Sequence, residues 1–292
     1  MNPFSGTGVA LITPFTEDLQ IDIPALQKLT RDLIQGQVEY LVVLGTTGEA
    51  ATLSPDEQIQ VIECIQAENN GQLPIVLGIG GNNTQAICKK AEAWTQRFKP
   101  DAILSVSPYY NKPSQEGIYQ HYKAITDYTD KDLILYNVPG RTASNVYAET
   151  CLRLAHEIPQ VVAMKEASGK AEQVMQIIAG RPQGFSVLSG DDPMVLPYVA
   201  LGADGIISVS ANALPAKFSS MVRASLSGDW EKARKLHYEM MPLVKLNFAE
   251  GNPTGVKSLM YLLGKCNAEV RLPLVKGTEE LLGQMRAELS LA

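Results

Sequence analysis

Lys165 is the residue of this sequence whose surroundings point most directly to chemistry. It lies in the short apolar run V-V-A-M-K-E, which begins at Val161. Strand alternation gives it the same face as Val161 and Ala163, which predicts that it points into the interior of the fold. A desolvated lysine has a lowered pKa and is a competent Schiff-base nucleophile. The alternative is a lysine at a strand end whose ammonium reaches solvent.

Two further candidates lie in the segment Y-N-V-P-G-R-T, which ends another apolar run. Tyr136 could exchange protons with the groups that change during imine formation. Its alternative is a core tyrosine whose hydroxyl is satisfied. Arg141 follows a proline and a glycine, and its guanidinium could hold a carboxylate through two parallel hydrogen bonds. The alternative is a surface arginine.

The turn G-T-T-G-E at 45–49 offers backbone N–H groups and the hydroxyls of Thr46 and Thr47. Such a turn can bind a small carboxylate and relay a proton, although the same residues also occur as an ordinary loop. Acidic residues follow several apolar runs, and no histidine accompanies them. We therefore interpret them as members of salt bridges and helix caps, and we expect no metal. They are Glu49, Glu166, Asp191 and Asp192.

Eight short apolar runs would position these residues. The runs are rich in β-formers and nearly continuous, which is typical of parallel strands covered on their outer face. They are spaced roughly 20 to 34 residues apart, which leaves room for a crossover helix between each pair. They begin near Gly8, Tyr40, Pro74, Ala102, Asp132, Val161, Phe185 and Gly205.

This alternation predicts an α/β protein with a (β/α)8 TIM barrel, whose active site lies at the C-terminal ends of the strands. An open doubly wound sheet would have a glycine-rich turn after its first strand, where the sequence reads P-F-T. We expect residues 1–225 to form the catalytic barrel. Residues 226–292 contain helical patterns without a strand-like run, which predicts a C-terminal helical extension.

Capping patterns locate several helix ends. Ser54 is followed by Pro55 and by Glu57, a combination that predicts a capping box. Thr84 is the cap candidate of the next helix, and Gly36 is expected to end an earlier one.

Composition excludes several classes of protein. The chain has 292 residues, of which 45% are hydrophobic and 19% charged, so it is globular rather than disordered. The net charge is −6 and no basic tract occurs, which argues against binding of nucleic acid. No apolar run reaches the ~18 residues of a membrane span.

The first basic residue is Lys28, so we expect no signal peptide and a cytoplasmic protein. The four cysteines match no zinc or redox spacing, and we expect reduced thiols.

The motifs together are more specific than any one of them. G-T-T-G-E, P-Y-Y-N-K-P-S-Q-E-G, Y-N-V-P-G-R-T, K-E-A-S-G and S-G-D-D occur in this order at predicted strand ends. In this respect the chain resembles the dihydrodipicolinate synthase family, one of the pyruvate-dependent class I aldolases, along essentially its whole length. Y-N-V-P-G-R-T, with Arg141, indicates this family rather than its relatives that act on sugar acids.

The resemblance implies a reaction and a set of roles. Pyruvate would condense with L-aspartate 4-semialdehyde to give 4-hydroxy-tetrahydrodipicolinate, on the route to diaminopimelate and lysine. Lys165 would form the Schiff base without a cofactor. Tyr136, Thr47 and Tyr110 would relay protons, with Tyr110 supplied by a neighbouring subunit of a homotetramer built from two dimers. The substrate contacts would be Thr46 and Thr47 on the pyruvate carboxylate, Arg141 on the semialdehyde carboxylate, and the backbone carbonyls of Gly190 and Ile207.

Three other functions remain open at this point. N-acetylneuraminate lyase or a 2-keto-3-deoxy sugar-acid aldolase would share Lys165 and the G-T-T-G turn, and Arg141 argues against them. A metal-dependent barrel lyase is weakened by the missing histidines. A non-catalytic pyruvate-binding barrel would be expected to lack at least one catalytic group.

One departure from the family concerns regulation. Members inhibited by lysine often carry histidines where this chain has Pro55 and Gln58, and a carboxylate near the position of Ala86. Asn82 and Tyr109 are retained and could bind an amino-acid backbone. A lysine ammonium without a counter-charge is costly to desolvate, so we expect weak or absent inhibition by lysine.

Overall fold

The strands form the barrel that the sequence predicts. In the computed structural model, which describes residues 4–291, eight parallel strands follow chain order around one closed barrel. Each strand begins within two residues of a predicted run. The strands are β1 (Gly6–Ala10), β2 (Tyr40–Val43), β3 (Ile75–Gly78), β4 (Ala102–Val106), β5 (Asp132–Asn137), β6 (Val161–Glu166), β7 (Ser186–Ser189) and β8 (Gly205–Ser208).

Helices follow the strands, and the end of the chain is helical, which confirms the predicted extension. Its boundary at residue 225 stays a prediction. Within residues 4–291 the helices are α1 (Ile23–Gln35), α2 (Pro55–Asn69), α3 (Thr84–Phe98), α4 (Gln115–Thr126), α5 (Pro139–Thr142), α6 (Ala148–Glu157), α7 (Ala171–Gly180), α8 (Val195–Ala200), α9 (Pro215–Leu226), α10 (Trp230–Ala249), α11 (Thr254–Leu262) and α12 (Glu279–Leu291). None of these helices is both long and apolar enough to cross a membrane.

The chain divides into two compact units. The first contains Pro74–Ile207 and the segment that ends at Gly6, and the second contains Thr7–Leu73 and the chain from Ser208 onward. In the first unit, β5 and β6 are paired so that Tyr136 lies opposite Lys165, and Asn137 lies opposite Glu166. In the second unit β1 pairs with β2, where Gly8 lies opposite Tyr40. A side chain at Gly8 would collide with the fully buried Tyr40 ring, since an added Cβ would lie 2.1 Å from it.

The helix ends follow local chemistry. Ser54 accepts from the Glu57 N–H, and the Glu57 carboxylate accepts from the Ser54 N–H, which confirms the capping box. The prediction of Thr84 as a cap is wrong by one residue. Asn83 caps α3 by accepting from the Ala86 N–H. Asparagine is the stronger cap because its short carbonyl reaches the first turn well.

Candidate active site

Lys165 is buried at the end of β6, beside the tyrosine that the register places opposite. The lysine is 5% exposed, and its Nζ lies 4.3 Å from the centre of the Tyr136 ring. Burial lowers the pKa of Lys165 from its usual 10.5 to about 8; Asp192 opposes this shift and Arg141 adds to it. The structure therefore favours the buried lysine over one that reaches solvent.

The lowered pKa of Lys165 makes its amine available for attack. At pH 7, a lysine of pKa 8 is neutral in about one molecule in ten, whereas a lysine of pKa 10.5 is neutral in about one in 3,000. Only the neutral amine has the lone pair that attacks a carbonyl carbon. The site thus raises the reactive fraction of Lys165 by roughly two orders of magnitude.

Gly190 leaves space for the Lys165 side chain. A Cβ at this position would lie 3.1 Å from Cγ and Cε of Lys165 and 2.8 Å from the Ala167 side chain. The N–H of Gly190 donates to the Glu166 carbonyl at 2.8 Å, which fixes the chain directly after β7. Ile207, the other predicted lining residue, is fully buried in β8.

Arg141 and Tyr110 lie in the loops that follow β5 and β4. Arg141 belongs to the short helix α5, which begins at Pro139, and its side chain is exposed. Tyr110 is 87% exposed, and its backbone has the left-handed φ of 73°. A left-handed conformation is uncommon for a non-glycine residue and often marks a functional segment. The Tyr110 N–H donates to the Thr142 carbonyl at 3.4 Å, so the backbone of this loop contacts the segment that follows β5.

In the second unit, the G-T-T-G-E turn is held by residues from the end of the chain. Thr47 is 2% exposed, and its hydroxyl accepts from Nδ2 of Asn252 at 3.0 Å. Thr46 is exposed at the start of the same single helical turn. The sequence analysis missed Asn252, because a lone asparagine more than 200 residues from its partner carries no local signal.

A buried ion pair secures the end of this turn. Lys257 Nζ lies 2.5 Å from Glu49 Oε1, and neither side chain is more than 1% exposed. Nζ also donates to the Glu269 carbonyl, and the Arg271 N–H donates to the other Glu49 oxygen. Burial lowers the pKa of Lys257, and Glu49 opposes that shift. The interpretation of Glu49 as a salt-bridge residue is confirmed, whereas its partner in α11 was not predicted.

Glu166 departs from the interpretation of the acidic residues as salt bridges and caps. Its carboxylate is fully buried and accepts hydrogen bonds from Asn137 Nδ2, Gln173 Nε2 and the Ser168 N–H. Amides rather than a cation therefore satisfy it. At the end of β7, burial and the neighbouring Asp192 raise the pKa of Asp191.

No cluster of three or more histidine, cysteine or acidic residues that could hold a metal occurs in residues 4–291. The four cysteines are unpaired, and two of them, Cys88 and Cys151, are buried.

Comparison with known proteins gives one consistent family. Residues 3–292 match the Dihydrodipicolinate synthetase family. The 4-hydroxy-tetrahydrodipicolinate synthase of Flavobacterium psychrophilum is 50% identical over 98% of this chain and 97% of its own length. That of Parabacteroides distasonis is 49% identical over 98% and 97%.

Solved structures agree with the sequence relatives. The chloride-inhibited dihydrodipicolinate synthase of Acinetobacter baumannii, solved with pyruvate, superposes with a TM-score of 0.94 at 39% identity, covering 98% of each chain. A dihydrodipicolinate synthase variant described as monomeric has a TM-score of 0.95 at 36% identity, covering 99% of this chain and 96% of its own.

Proposed function

The chain belongs to the dihydrodipicolinate synthetase family, and from that premise we propose that it condenses pyruvate with L-aspartate 4-semialdehyde through a Schiff base on Lys165. The product is 4-hydroxy-tetrahydrodipicolinate, an intermediate on the route to diaminopimelate and lysine. The observation that carries the proposal is the buried Lys165, whose pKa is about 8 and whose Nζ lies over Tyr136. Comparing turnover of pyruvate plus semialdehyde with cleavage of N-acetylneuraminate tests the substrate pair against that of a related aldolase.

The chemistry follows from the neutral amine. Lys165 attacks the keto carbon of pyruvate, and water leaves as the protonated imine forms. The iminium withdraws electrons, so the pyruvate methyl loses a proton and becomes an enamine. The enamine carbon attacks the aldehyde carbon of the semialdehyde, whose oxygen takes up a proton. The substrate amine then adds to the imine carbon, Lys165 leaves, and the ring is closed.

Tyr136 is the proton carrier that the geometry supports best, because its ring lies against the lysine ammonium. Thr47 and Tyr110 complete the relay in the mechanism that we propose. Thr46 and Thr47 bind the pyruvate carboxylate, and the carbonyls of Gly190 and Ile207 line the pocket. The Thr47 hydroxyl accepts from Nδ2 of Asn252, so its own O–H proton remains to be donated, as a relay group requires.

Arg141 is expected to act on the semialdehyde rather than on pyruvate. Its exposed guanidinium lies beyond the end of β5 and is near enough to Lys165 to lower the pKa of that lysine. Arg141→Ala should lower kcat/KM for the semialdehyde, by an amount equivalent to a loss of about 2–4 kcal/mol of transition-state stabilisation. Borohydride trapping of pyruvate should persist.

The matched control for this variant is Arg153→Ala, which removes an exposed arginine of α6 that pairs with Glu116 and Glu157. It should leave both kinetic measurements unchanged. Equal loss of pyruvate trapping and of semialdehyde use in Arg141→Ala would contradict the role assigned to this residue.

The quaternary structure that we propose is a homotetramer made of two dimers, in the cytoplasm. Tyr110 supports the dimer, because this residue is 87% exposed in the single chain and its backbone has a left-handed conformation that often marks a functional segment. A large exposed aromatic on such a loop fits insertion into a second copy of the chain.

Complementation tests whether Tyr110 crosses between subunits. Tyr110→Phe and Lys165→Ala should each be inactive or nearly so. A heterodimer of the two has one site with both groups intact, so random mixing should restore about one quarter of wild-type activity. Absence of recovery in samples shown by mass spectrometry to contain heterodimers would place Tyr110 in the site of its own subunit, or outside any site.

Lysine is expected to inhibit weakly or not at all. Gln58, which stands where responsive relatives often have histidine, donates to the carbonyls of Ala50 and Leu53 and so is engaged within its own turn. Asn82 donates to the Tyr109 carbonyl. When lysine is titrated at saturating pyruvate, the concentration for half-inhibition should not fall below about 1 mM. A value of 1 mM corresponds to a binding free energy of roughly 4 kcal/mol. Tighter inhibition would show that another carboxylate pairs with the lysine ammonium.

A further inference from the structure

Directly behind the reactive pair, two polar side chains link the same two strands. Tyr136 pairs with Lys165, and the next residues, Asn137 and Glu166, pair with each other. Because side chains alternate along a strand, Asn137 and Glu166 lie on the face opposite the reactive pair. Both are fully buried. Nδ2 of Asn137 lies 3.0 Å from Oε2 and 3.3 Å from Oε1 of Glu166, so the amide bridges the strands at the level of the reactive groups.

The bridge extends into the loops that follow both strands. Oδ1 of Asn137 accepts from the Val146 N–H, and its Nδ2 donates to Asn145 Oδ1, each at 2.9 Å. This second contact fixes the segment a few residues after Arg141. On the other strand, Glu166 accepts from the Ser168 N–H at 2.6 Å, which fixes the turn that leaves β6.

One side chain from α7 closes the network. Gln173 donates to Glu166 at 2.9 Å and accepts from Asn145 Nδ2 at 2.8 Å. Every donor in this network faces an acceptor. This pairing assigns which terminal atom of each side-chain amide is the oxygen and which is the nitrogen. A buried polar network with every member paired rigidifies its surroundings, and one that loses a member destabilises them.

We propose that Asn137 and Glu166 are positioning residues, which hold Tyr136 over Lys165 and fix the loop of Arg141 from behind the two strands. The inference rests on the proposed function, since it assumes that Lys165 forms the imine. The main chain of β5 and β6 sets the register, and the Ala167 N–H donates to the Asn137 carbonyl at 2.9 Å. The side-chain bridge adds a second link between the strands at the residues next to the reactive pair.

Exchange of amide and carboxylate tests the bridge. Glu166→Gln leaves an amide facing an amide, and Asn137→Asp leaves a carboxylate facing a carboxylate. Asn137→Asp/Glu166→Gln restores one donor opposite one acceptor with the direction reversed. The measurements are the pH dependence of borohydride trapping with pyruvate, kcat for the condensation, and the unfolding midpoint in urea.

We expect each single variant to lower kcat at least tenfold, with Asn137→Asp the more severe because its carboxylates repel. In the charge-neutral variant Gln173→Met, the midpoint of the trapping profile should move upward by about half a pH unit or more, as Lys165 becomes less firmly held in its buried position. Asn137→Asp adds a carboxylate and should move it further in the same direction, whereas the lost carboxylate of Glu166→Gln opposes the shift. The double variant should recover part of the loss of kcat. A merely structural network would lower the unfolding midpoint of Gln173→Met and leave its trapping profile unchanged.

The control is Asn69→Asp, the same chemical change at a buried asparagine that bonds to both backbone groups of Leu73 in the other unit. It should lose stability without a shift in the trapping profile. If single variants fail to fold, Gln173→Met, which removes one donor to Glu166, decides the question by the same profile. An unshifted profile in folded Gln173→Met overturns the inference. Failure of the wild-type protein to trap pyruvate at Lys165 would instead overturn the proposed function.

Discussion

Borohydride added together with pyruvate is expected to inactivate the protein and to leave a reduced pyruvyl group on Lys165. The neutral amine attacks the keto carbon, and hydride then reduces the imine to a stable secondary amine. Each reagent alone should leave activity intact, because the imine exists only when pyruvate is bound. Peptide mass mapping of the inactivated sample should find the added mass on the peptide that contains Lys165.

The rate of this trapping should depend on pH in a direction that the structure fixes. The pKa of Lys165 is lowered to about 8, chiefly by burial. The amine is protonated and unreactive well below that value, so the rate should rise with pH and reach half of its plateau near pH 8. An ordinary exposed lysine would show the same rise more than two units higher.

Substitution of Lys165 should have the largest kinetic effect of any change in the chain. Lys165→Ala removes the covalent step and should abolish trapping and nearly all turnover. Lys165→Arg should not rescue activity, because the guanidinium stays protonated at any pH at which the protein is folded. An inactive, trapped sample in which Lys165 is unmodified would refute the mechanism.

The success of the sequence in predicting the fold has a local cause. Each strand is a short apolar run that its own residues reveal, so β6 follows from V-V-A-M-K-E alone, whereas the same run left open whether Lys165 is buried or reaches solvent. Helix ends are also local, and even the error at Thr84 is a choice between adjacent cap residues. Such features need no knowledge of distant partners.

What the sequence did not predict depends on contacts across long stretches of chain. Lys257 lies 208 residues from Glu49, and its helix segment G-V-K-S-L-M-Y-L looks like an amphipathic helix with an exposed lysine. Glu166 was expected to form a salt bridge or a helix cap, because a carboxylate by itself gives no sign that side-chain amides will surround it. Only the folded chain brings those amides together. The missed contacts hold the G-T-T-G-E turn and link the ends of β5 and β6, and residue type alone does not reveal them.

Removal of one partner from the buried pair of Lys257 and Glu49 is expected to cause a large loss of stability. Lys257→Met removes the cation and leaves the Glu49 carboxylate without its charge partner at a site that is 1% exposed. Breaking a buried pair from one side costs about 3–5 kcal/mol, because the remaining charge is desolvated and uncompensated. Urea unfolding of the variant should therefore show a markedly lower midpoint with little change in slope.

Two further variants separate the charge effect from a loss of packing. Lys217→Met removes one partner of the exposed pair with Glu239, where side chains are 36% and 40% exposed, and should cost less than about 1 kcal/mol.

Glu49→Gln/Lys257→Met removes both charges, and the amide oxygen introduced in place of the carboxylate can still accept from the Arg271 N–H that now bonds Glu49. Because a buried pair can often be replaced by neutral groups with little loss, the double variant should recover most of the stability that Lys257→Met loses. If Lys257→Met costs less than about 1 kcal/mol, or if the double variant is no more stable than the single one, the pair does not stabilise the G-T-T-G-E turn by charge. In that event the turn is held by its hydrogen bonds, among them the one from Asn252 to Thr47.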